Sequence, residues 1–387
     1  MAKAQINPAM LAWASERAGL DAEAIGERLK VTPDRAQSWL DGADKPTFRQ
    51  AQQAASALHV PFGFLFLRRA PDEEMGLPDL RTVGGDPARN LDLNFRDLLR
   101  DVLFKRDWYR DYLSEIDGTE LPFVGSFDVS ADAIQVSESM KLVLFGPESE
   151  PPAAASWEAY LSTLMKSAER AGIWVMRNGI VGSNTHRPLS VDQFRGFAIS
   201  DQTVPLVFIN GRDAKAAQIF TLAHELAHIW LGQSGISNVK IGQTDYGTHR
   251  ALERKCNAIA AEFLVPEARF LERWHADRSF IDNVDSNSRF FKVSRVVIAR
   301  RAFDLGQCTD DQYGRFFASE AQRWVRDDEA GGGGDFYKVL PIRNGSRFTN
   351  SVVGEAVSGR MLLRQAAALL NTQPAAIMKF HRKRQAA

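Results

Sequence analysis

The residues with the clearest chemical potential lie at positions 220–229, in the sequence FTLAHELAHI. This stretch contains His224, Glu225 and His228 in the order H-E-x-x-H. Residues four apart on an α-helix project from the same face, so both imidazoles can turn a nitrogen toward one metal ion. Glu225 is offset by one position and can reach a water on that metal without being a ligand. The spacing predicts the site of a zinc hydrolase with one Zn²⁺ per chain.

The predicted chemistry is a metal-assisted attack of water on a peptide carbonyl. Zinc lowers the pKa of its bound water to roughly 7. Glu225 is the candidate general base and, later in the reaction, the proton donor. The alternative is a pair of core histidines hydrogen-bonded to backbone. Three ionisable groups on an otherwise apolar helix are costly unless something compensates them, which favours the metal site.

A catalytic zinc site needs a third protein ligand, and the next helical run, residues 253–266, offers candidates. Glu253 and Asn257 lie one turn apart on one face of that run. Glu262 lies nine positions after Glu253, about 180° around the helix, so the two carboxylates cannot face the same ion. Periodicity alone leaves the choice between them open. His249 is a further alternative to Glu253.

The combination of FTLAHELAHIWLG with E-x-x-C-N-x-x-A-A-E-F-L-V-P resembles the ImmA/IrrE family of zinc metallopeptidases, over roughly residues 160–310. Family members usually carry E-x-x-A-N-x-F-A-A-x-L-L-x-P at the second motif. The resemblance implies that Glu253 is the third ligand beside His224 and His228, as in a gluzincin. Cys256 stands where the family usually has alanine, and Ile259 where it usually has phenylalanine. Both are conservative exchanges on an apolar helix face.

Composition sets limits on the rest of the chain. It has 387 residues, 44 % of them hydrophobic, which is enough for two or three domains. Its 48 basic and 48 acidic residues cancel, so no global field draws it to nucleic acid or membrane. Two cysteines make no disulfide framework, and neither a signal peptide nor an apolar run approaching 18 residues is found. We therefore expect a cytoplasmic protein without a membrane partner.

Helix caps and turn residues divide the chain into four predicted parts. Short capped helical patterns fill residues 1–70, and a tight connection between the second and third of them is typical of a helix-turn-helix domain. A helical connector covers 71–155. The zinc peptidase domain, with a trailing helix-turn-helix-like element, covers 156–310. A C-terminal subdomain and a basic tail cover 311–387, in which residues 336–340 are predicted to form a strand.

The N-terminal part resembles the XRE-type DNA-binding domains that are often fused to ImmA/IrrE peptidases, through N-P-x-x-L-x-W-A-x-E-R-A-G-L. Residues 1–70 hold nine basic and seven acidic side chains, a weak excess for neutralising phosphates. The alternative to DNA binding is a domain that docks another protein. The candidate DNA contacts are Arg35, Gln37, Lys45 and Arg49.

Short apolar runs at residues 173–176, 196–200 and 206–210 predict strands just before the metal helix. The predicted fold class is therefore α+β and mostly helical: a helix-turn-helix bundle, then a zincin-like domain whose small sheet packs on the H-E-x-x-H helix. An edge strand of such a sheet can bind a peptide by strand addition. The strand nominated for this role, with a plain core strand as the alternative, consists of Leu206, Val207, Phe208, Ile209 and Asn210.

These features together predict a zinc-dependent endopeptidase that acts as a transcription or stress regulator. The resemblance implies that its protein substrate is a DNA-binding repressor or a similar regulatory protein, with DNA as a possible second partner. The competing hypothesis is a non-catalytic, zinc-containing DNA-binding regulator or antitoxin-like protein. The intact Glu225 argues against it, because a purely structural zinc site has no use for that carboxylate.

Overall fold

The computed structural model describes residues 2–71, 81–82, 92–116, 118–148, 154–237, 250–324 and 335–385. The chain divides into two compact units, Met1–Gly76 and Leu77–Ala387. The division into four parts at 70, 155 and 310 stays a prediction.

The first unit is a small helical bundle. The first two helices begin at polar caps: the Asn7 side chain accepts a hydrogen bond from the Ala9 amide at 3.1 Å, and Asp21 accepts one from the Ala24 amide at 2.9 Å. Trp39 lies at the centre of the apolar core. The elements are α1 (Pro8–Ala18), α2 (Ala22–Leu29), α3 (Pro33–Leu40), α4 (Phe48–Ala57) and a 3₁₀ helix (Phe62–Phe66).

The second unit carries the remaining helices and the sheets. Its described helices are α5 (Leu93–Glu115), α6 (Ala133–Phe145), α7 (Trp157–Arg170), α8 (Lys215–Trp230), α9 (Arg250–Leu264), α10 (Glu267–Arg273), α11 (Phe280–Phe291), α12 (Arg295–Asp304), α13 (Asp310–Trp324), α14 (Phe336–Asn344), α15 (Ser346–Val357), α16 (Leu363–Leu369) and α17 (Pro374–Gln385). The prediction of a mostly helical α+β fold is confirmed.

The described strands form a mixed five-stranded sheet and a small hairpin. They are β1 (Arg81–Thr82), β2 (Trp174–Asn178), β3 (Ile180–Val181), β4 (Asn184–Pro188), β5 (Gly196–Ile199), β6 (Leu206–Asn210) and β7 (Gly235–Ser237). The sheet has the order β1-β7-β5-β6-β2, and β3 pairs with β4 in the hairpin. β5 runs antiparallel to both of its neighbours, whereas β2 is parallel to β6 and β1 is parallel to β7.

Both faces of the sheet are buried, because alternate side chains enter two different cores. One face, which we call the α8 face, carries Val175, Ala198, Val207 and Ile209 and packs in one core with α8, α9 and the helices around them. The opposite face carries residues such as Phe197 and packs with α5 and α14–α17 in a second core. Helices therefore hold the sheet on both sides, and α8 lies directly on one face.

The strand nominated for substrate binding is not at an edge. β6 lies between β5 and β2, so its backbone groups already pair on both sides, and all of its residues are buried. The prediction that a substrate strand adds at this strand is therefore wrong for Leu206, Val207, Phe208, Ile209 and Asn210. The physical reason is that a strand covered on both faces reads as a continuous apolar run, which does not show its place in the sheet. Residues 336–340, predicted as a strand, are helical in α14.

None of the helices in the described ranges has the length and hydrophobicity of a membrane-spanning segment.

Candidate metal centre

The helix α8 places the H-E-x-x-H residues in the interior of the second unit. All of its residues from Gln218 to Trp230 are buried, because one side packs on the α8 face of the sheet and the other on α7 and α9. Its last carbonyls are not left without partners: Ile229 accepts a hydrogen bond from the Gly125 amide at 2.9 Å, and Trp230 accepts one from Phe127 at 3.2 Å. The helix is thereby a fixed support for the ionisable side chains that it carries.

Three side chains converge on one point between α8 and α9. The Nε2 atoms of His224 and His228 are 3.2 Å apart. Oε2 of Glu253 lies 3.2 Å from His224 Nε2, and Oε1 lies 3.4 Å from His228 Nε2. Ligands bonded to zinc at roughly 2.0–2.1 Å in a tetrahedron are separated by about 3.3–3.4 Å. The three side chains therefore have the spacing of a zinc-binding set, and the residues fit the metal that the sequence predicts.

Asn257 fixes the orientation of one of the histidines. Its Oδ1 lies 3.0 Å from Nδ1 of His224, one helical turn beyond Glu253 on α9. Because the amide oxygen accepts a hydrogen bond, it holds the proton of the neutral imidazole on Nδ1 and leaves Nε2 free as a metal donor. The sequence places Asn257 on the face of Glu253 without indicating this role.

The other candidates for the third ligand lie elsewhere. Glu262 is buried at the far end of α9. Its carboxylate forms an ion pair with Arg301 and accepts a hydrogen bond from the backbone amide of Glu267 at 3.3 Å. Arg301 is held in turn by a hydrogen bond from its Nε to the Val265 carbonyl, at 3.1 Å. Glu262 therefore joins α9 to α12. His249 lies outside the described residues.

Glu225 lies next to the three converging side chains, in a space that a glycine leaves open. Its side chain is 0 % exposed, and neither carboxylate oxygen has a hydrogen-bond partner among the described residues. A Cβ atom at Gly196 of β5 would come within 2.9 Å of Glu225 Oε1 and 2.6 Å of Thr221 Cγ2. Gly196 is paired with Ser237 of β7, on the same face of the sheet. The absence of a side chain at residue 196 is what gives the carboxylate its room.

A second glycine does the same for His228. A Cβ atom at Gly235 of β7 would lie 3.1 Å from Cε1 and 3.4 Å from Nδ1 of His228. Two strands thus approach α8 closely at the level of the ionisable residues, and each does so at a glycine.

The charges of the site are strongly coupled. Burial raises the pKa of Glu253, but the hydrogen bonds and charges of His224 and His228 outweigh this and hold it well below its usual value. Burial raises the pKa of Glu225 from 4.5 to about 8; the charge of His228 and the nearby Ser237 hydroxyl oppose the rise, and Glu253 adds to it. The Ser237 hydroxyl affects this pKa by proximity, since it does not meet the geometry of a hydrogen bond. The two carboxyls therefore differ in the metal-free site: at neutral pH Glu253 is ionised, whereas Glu225 mostly keeps its proton.

A further group of metal-ligating type lies in the same place. Cys256 of α9 is 0 % exposed, and its Sγ atom, one ring nitrogen of His224 and one of His228 all lie within 4.8 Å of one another. Burial raises the pKa of its thiol well above the usual value, and the nearby Glu253 and Glu225 carboxylates add to the rise. From the sequence alone, Cys256 is interpreted as a conservative exchange for alanine. Its position three residues after Glu253 was the available signal, because such residues share a helix face.

The candidate DNA contacts of the first unit are all exposed. Arg35 and Gln37 lie on α3, where Arg35 is 6.0 Å from the ring of Trp39 and Gln37 donates to Asp41 at 2.8 Å. Lys45, in the loop before α4, donates a hydrogen bond to the side chain of Gln5. Arg49, in the first turn of α4, completes the set. Acidic side chains lie between them, so the surface carries both signs of charge, and the DNA-binding role stays a prediction.

Comparison with known proteins supports the interpretation of the second unit. Residues 168–303 match the model of peptidase family M78, described as the IrrE N-terminal-like domain. The match includes α8, α9 and all the residues of the site, and it supports the resemblance to the ImmA/IrrE metallopeptidases. Residues 344–383 match the model of a domain of unknown function, DUF8813. No curated protein matches the chain.

Proposed function

We propose that this protein is a zinc-dependent endopeptidase that cleaves a regulatory protein. The observation that carries the proposal is the convergence of His224, His228 and Glu253 at tetrahedral ligand spacing, with the unpartnered carboxylate of Glu225 beside them. A structural zinc site uses four protein ligands and needs no further carboxylate. The arrangement of three ligands and one buried acid supports a hydrolytic site.

Each side chain has a separate role in the proposed reaction. His224, oriented by Asn257, and His228 hold the metal together with Glu253. When bound, zinc would lower the pKa of a water molecule and polarise the carbonyl of the peptide to be cleaved. Glu225 would hold the proton of the attacking water and deliver it to the nitrogen of the leaving amine. Neither of its oxygens has a hydrogen-bond partner among the described residues, so both are available to take up and release that proton.

The proposed substrate is a DNA-binding repressor or a similar regulatory protein. The support is the resemblance of the metal helices to the ImmA/IrrE peptidases and the match of residues 168–303 to the IrrE N-terminal-like domain. In the described part of the sheet the outer strands are β1 and β2, so a substrate that bound by strand addition would not do so at β6.

The test of peptidase function compares the zinc-loaded full-length protein with its Glu225→Gln variant. Each is incubated with an extract of the source cells, and new protein N-termini are identified by mass spectrometry. We expect N-termini that form with the unmodified protein and not with Glu225→Gln, although both bind zinc. Identical sets of N-termini would contradict a catalytic role and favour the alternative of a non-catalytic, zinc-containing regulator or antitoxin-like protein.

For the first unit we propose DNA binding in the manner of a helix-turn-helix domain. The support is the exposure of Arg35, Gln37, Lys45 and Arg49 on α3, α4 and the loop between them. Phosphate contacts by lysine and arginine make affinity fall steeply with salt. Fluorescence anisotropy with duplex DNA should therefore show binding that weakens with salt and weakens further in an Arg35→Ala, Arg49→Ala double variant. Binding that is absent at low salt would leave the protein-docking alternative.

A further inference from the structure

Cys256 occupies a position in the metal centre that its neighbours on α9 define. It follows Glu253 by three residues and precedes Asn257, and both of those side chains contact the histidines of α8. The thiol is fully buried on the same side of the helix. One helix face thus brings a carboxylate, an amide and a thiol to the same pair of imidazoles.

The distances allow the sulfur to share the ion with the histidines. With zinc bonds of roughly 2.0 Å to nitrogen and 2.3 Å to sulfur, the two atoms are separated by about 3.5 Å in a tetrahedral site. Cys256 Sγ lies within 4.8 Å of one ring nitrogen of His224 and one of His228. A closing movement of about 1 Å, which a side-chain rotation supplies, is enough to complete the coordination.

We propose that Cys256 is a fourth protein ligand of the zinc ion in the resting protein. The proposal rests on the metal site proposed above and adds a ligand to it. On ligation the S–H bond breaks, a sulfur–metal bond forms and one proton passes to solvent. Thiolate is a preferred ligand of zinc, and sets of two histidines with a cysteine and a carboxylate use donor types that the metal accepts.

The consequence is a protein that holds zinc but is latent. Four protein ligands leave no position for water, whereas a catalytic zinc site keeps one position open. In the resting protein Glu225 therefore has no metal-activated water to deprotonate. The cleavage expected above for the unmodified protein therefore comes from molecules whose thiolate has left the metal. Cys256→Ala, which carries the residue usual in the ImmA/IrrE motif, should cleave faster because its site is always open.

The test uses cobalt as a spectroscopic probe of the full-length protein. Zinc is removed with a chelator and Co²⁺ is added to the unmodified protein and to the Cys256→Ala, Cys256→Ser and Cys308→Ala variants. A Co²⁺–thiolate bond gives an intense near-ultraviolet charge-transfer absorption that nitrogen and oxygen ligands do not give. Cys308 is the matched control, because it is the other cysteine of the chain and is only partly buried.

We expect the charge-transfer band in the unmodified protein and in Cys308→Ala, and its loss in both Cys256 variants, while the visible Co²⁺ bands remain in all four. Zinc affinity, measured by competition with a chelating indicator, should fall at least roughly 10-fold in Cys256→Ala, the lower limit seen when a group that merely supports a ligand is lost. Cys308→Ala should bind zinc normally.

Two results would overturn the proposal in different ways. Visible Co²⁺ bands without a charge-transfer band in the unmodified protein, or a band that persists in Cys256→Ala, would show that the sulfur is not a ligand and leave the peptidase site intact. No Co²⁺ binding in the unmodified protein would overturn the proposed metal site and the role of Cys256 together.

Discussion

Gly196 on β5 has no room for a side chain, and we expect Gly196→Ala to damage both the stability and the chemistry of the site. An added Cβ would lie 2.6 Å from Thr221 Cγ2, 2.9 Å from Glu225 Oε1 and 3.0 Å from the Phe208 carbonyl oxygen. Carbon atoms in contact are normally about 3.5–4.0 Å apart, so the Thr221 methyl would have to move by about 1 Å.

None of these three neighbours can move freely. Thr221 is β-branched and buried in α8, which restricts its rotation. The Phe208 carbonyl belongs to the β6 backbone, whose register with β5 is fixed by pairing on both sides of β6. Overpacking of this kind costs roughly 1–3 kcal/mol in the free energy of unfolding. The Glu225 carboxylate must also turn away, and a displacement of about 1 Å at a reacting group can lower the rate about 10²-fold.

Urea denaturation of Gly196→Ala measures the first effect, and the cleavage rate of an identified substrate measures the second. The matched control is Gly354→Ala on the exposed side of α15, where an added Cβ meets nothing within 4 Å. That exchange should stabilise the protein by up to about 1 kcal/mol, because alanine is the better helix former. Unchanged stability in Gly196→Ala, or an equal loss in Gly354→Ala, would refute the reasoning about close packing against Glu225.

Three further predictions concern buried polar groups. In the metal-free folded state Glu225 keeps its proton up to about pH 8, whereas in the unfolded state it releases it near pH 4.5. Unfolding in urea with chelator present should therefore become easier as the pH rises from 4.5 to 8. Glu225→Gln should be more stable than the unmodified protein by up to about 5 kcal/mol at pH 9 and equally stable at pH 4. Asn257→Ala should weaken zinc binding roughly 10–100-fold in chelator competition, since it releases the His224 ring, and equal affinity would count against the orienting role. Lys105→Met should cost roughly 1–3 kcal/mol by urea denaturation, because it leaves Asp101 and Asn344 without the ammonium that donates to them at 2.7 and 3.0 Å. Burial lowers the pKa of Lys105, and a more stable variant would show that the cost of burying its charge exceeds the cost of leaving these two partners unpaired.

The sequence predicts the residues of α8 and α9 in the site well, because the signals for them are local. H-E-x-x-H sets the relation of three side chains along one helix. The helical offset between Glu253 and Glu262 correctly places them on opposite sides of α9, where one meets the histidines and the other meets Arg301. The apolar runs before the metal helix correspond to β2, β5 and β6. For each of these features the pattern spans at least one helical turn or one strand.

What the sequence could not predict depends on contacts between distant segments. The run at 206–210 indicates a strand but not its neighbours, and its central position follows from β2 and β5, which pair with its two sides. β7 is three residues long, too short for a periodic signal, yet it brings Gly235 to the ring of His228. The segment at 336–340 alternates weakly and was predicted as a strand, whereas packing against β2 holds it in the helix α14.

The central claim is that Glu253, and not Glu262, completes a zinc site with the two histidines of α8. Elemental analysis of zinc after dialysis against a chelator tests it on the unmodified protein and on Glu253→Gln and Glu262→Gln, two exchanges that each remove one negative charge from α9. We predict about one zinc per chain in the unmodified protein and in Glu262→Gln, and a loss in Glu253→Gln that becomes complete when Cys256→Ala is added and the thiol can no longer hold the ion. Full zinc retention in the Glu253→Gln, Cys256→Ala double variant, or no zinc in the unmodified protein after metal-replete purification, would contradict a site built on Glu253.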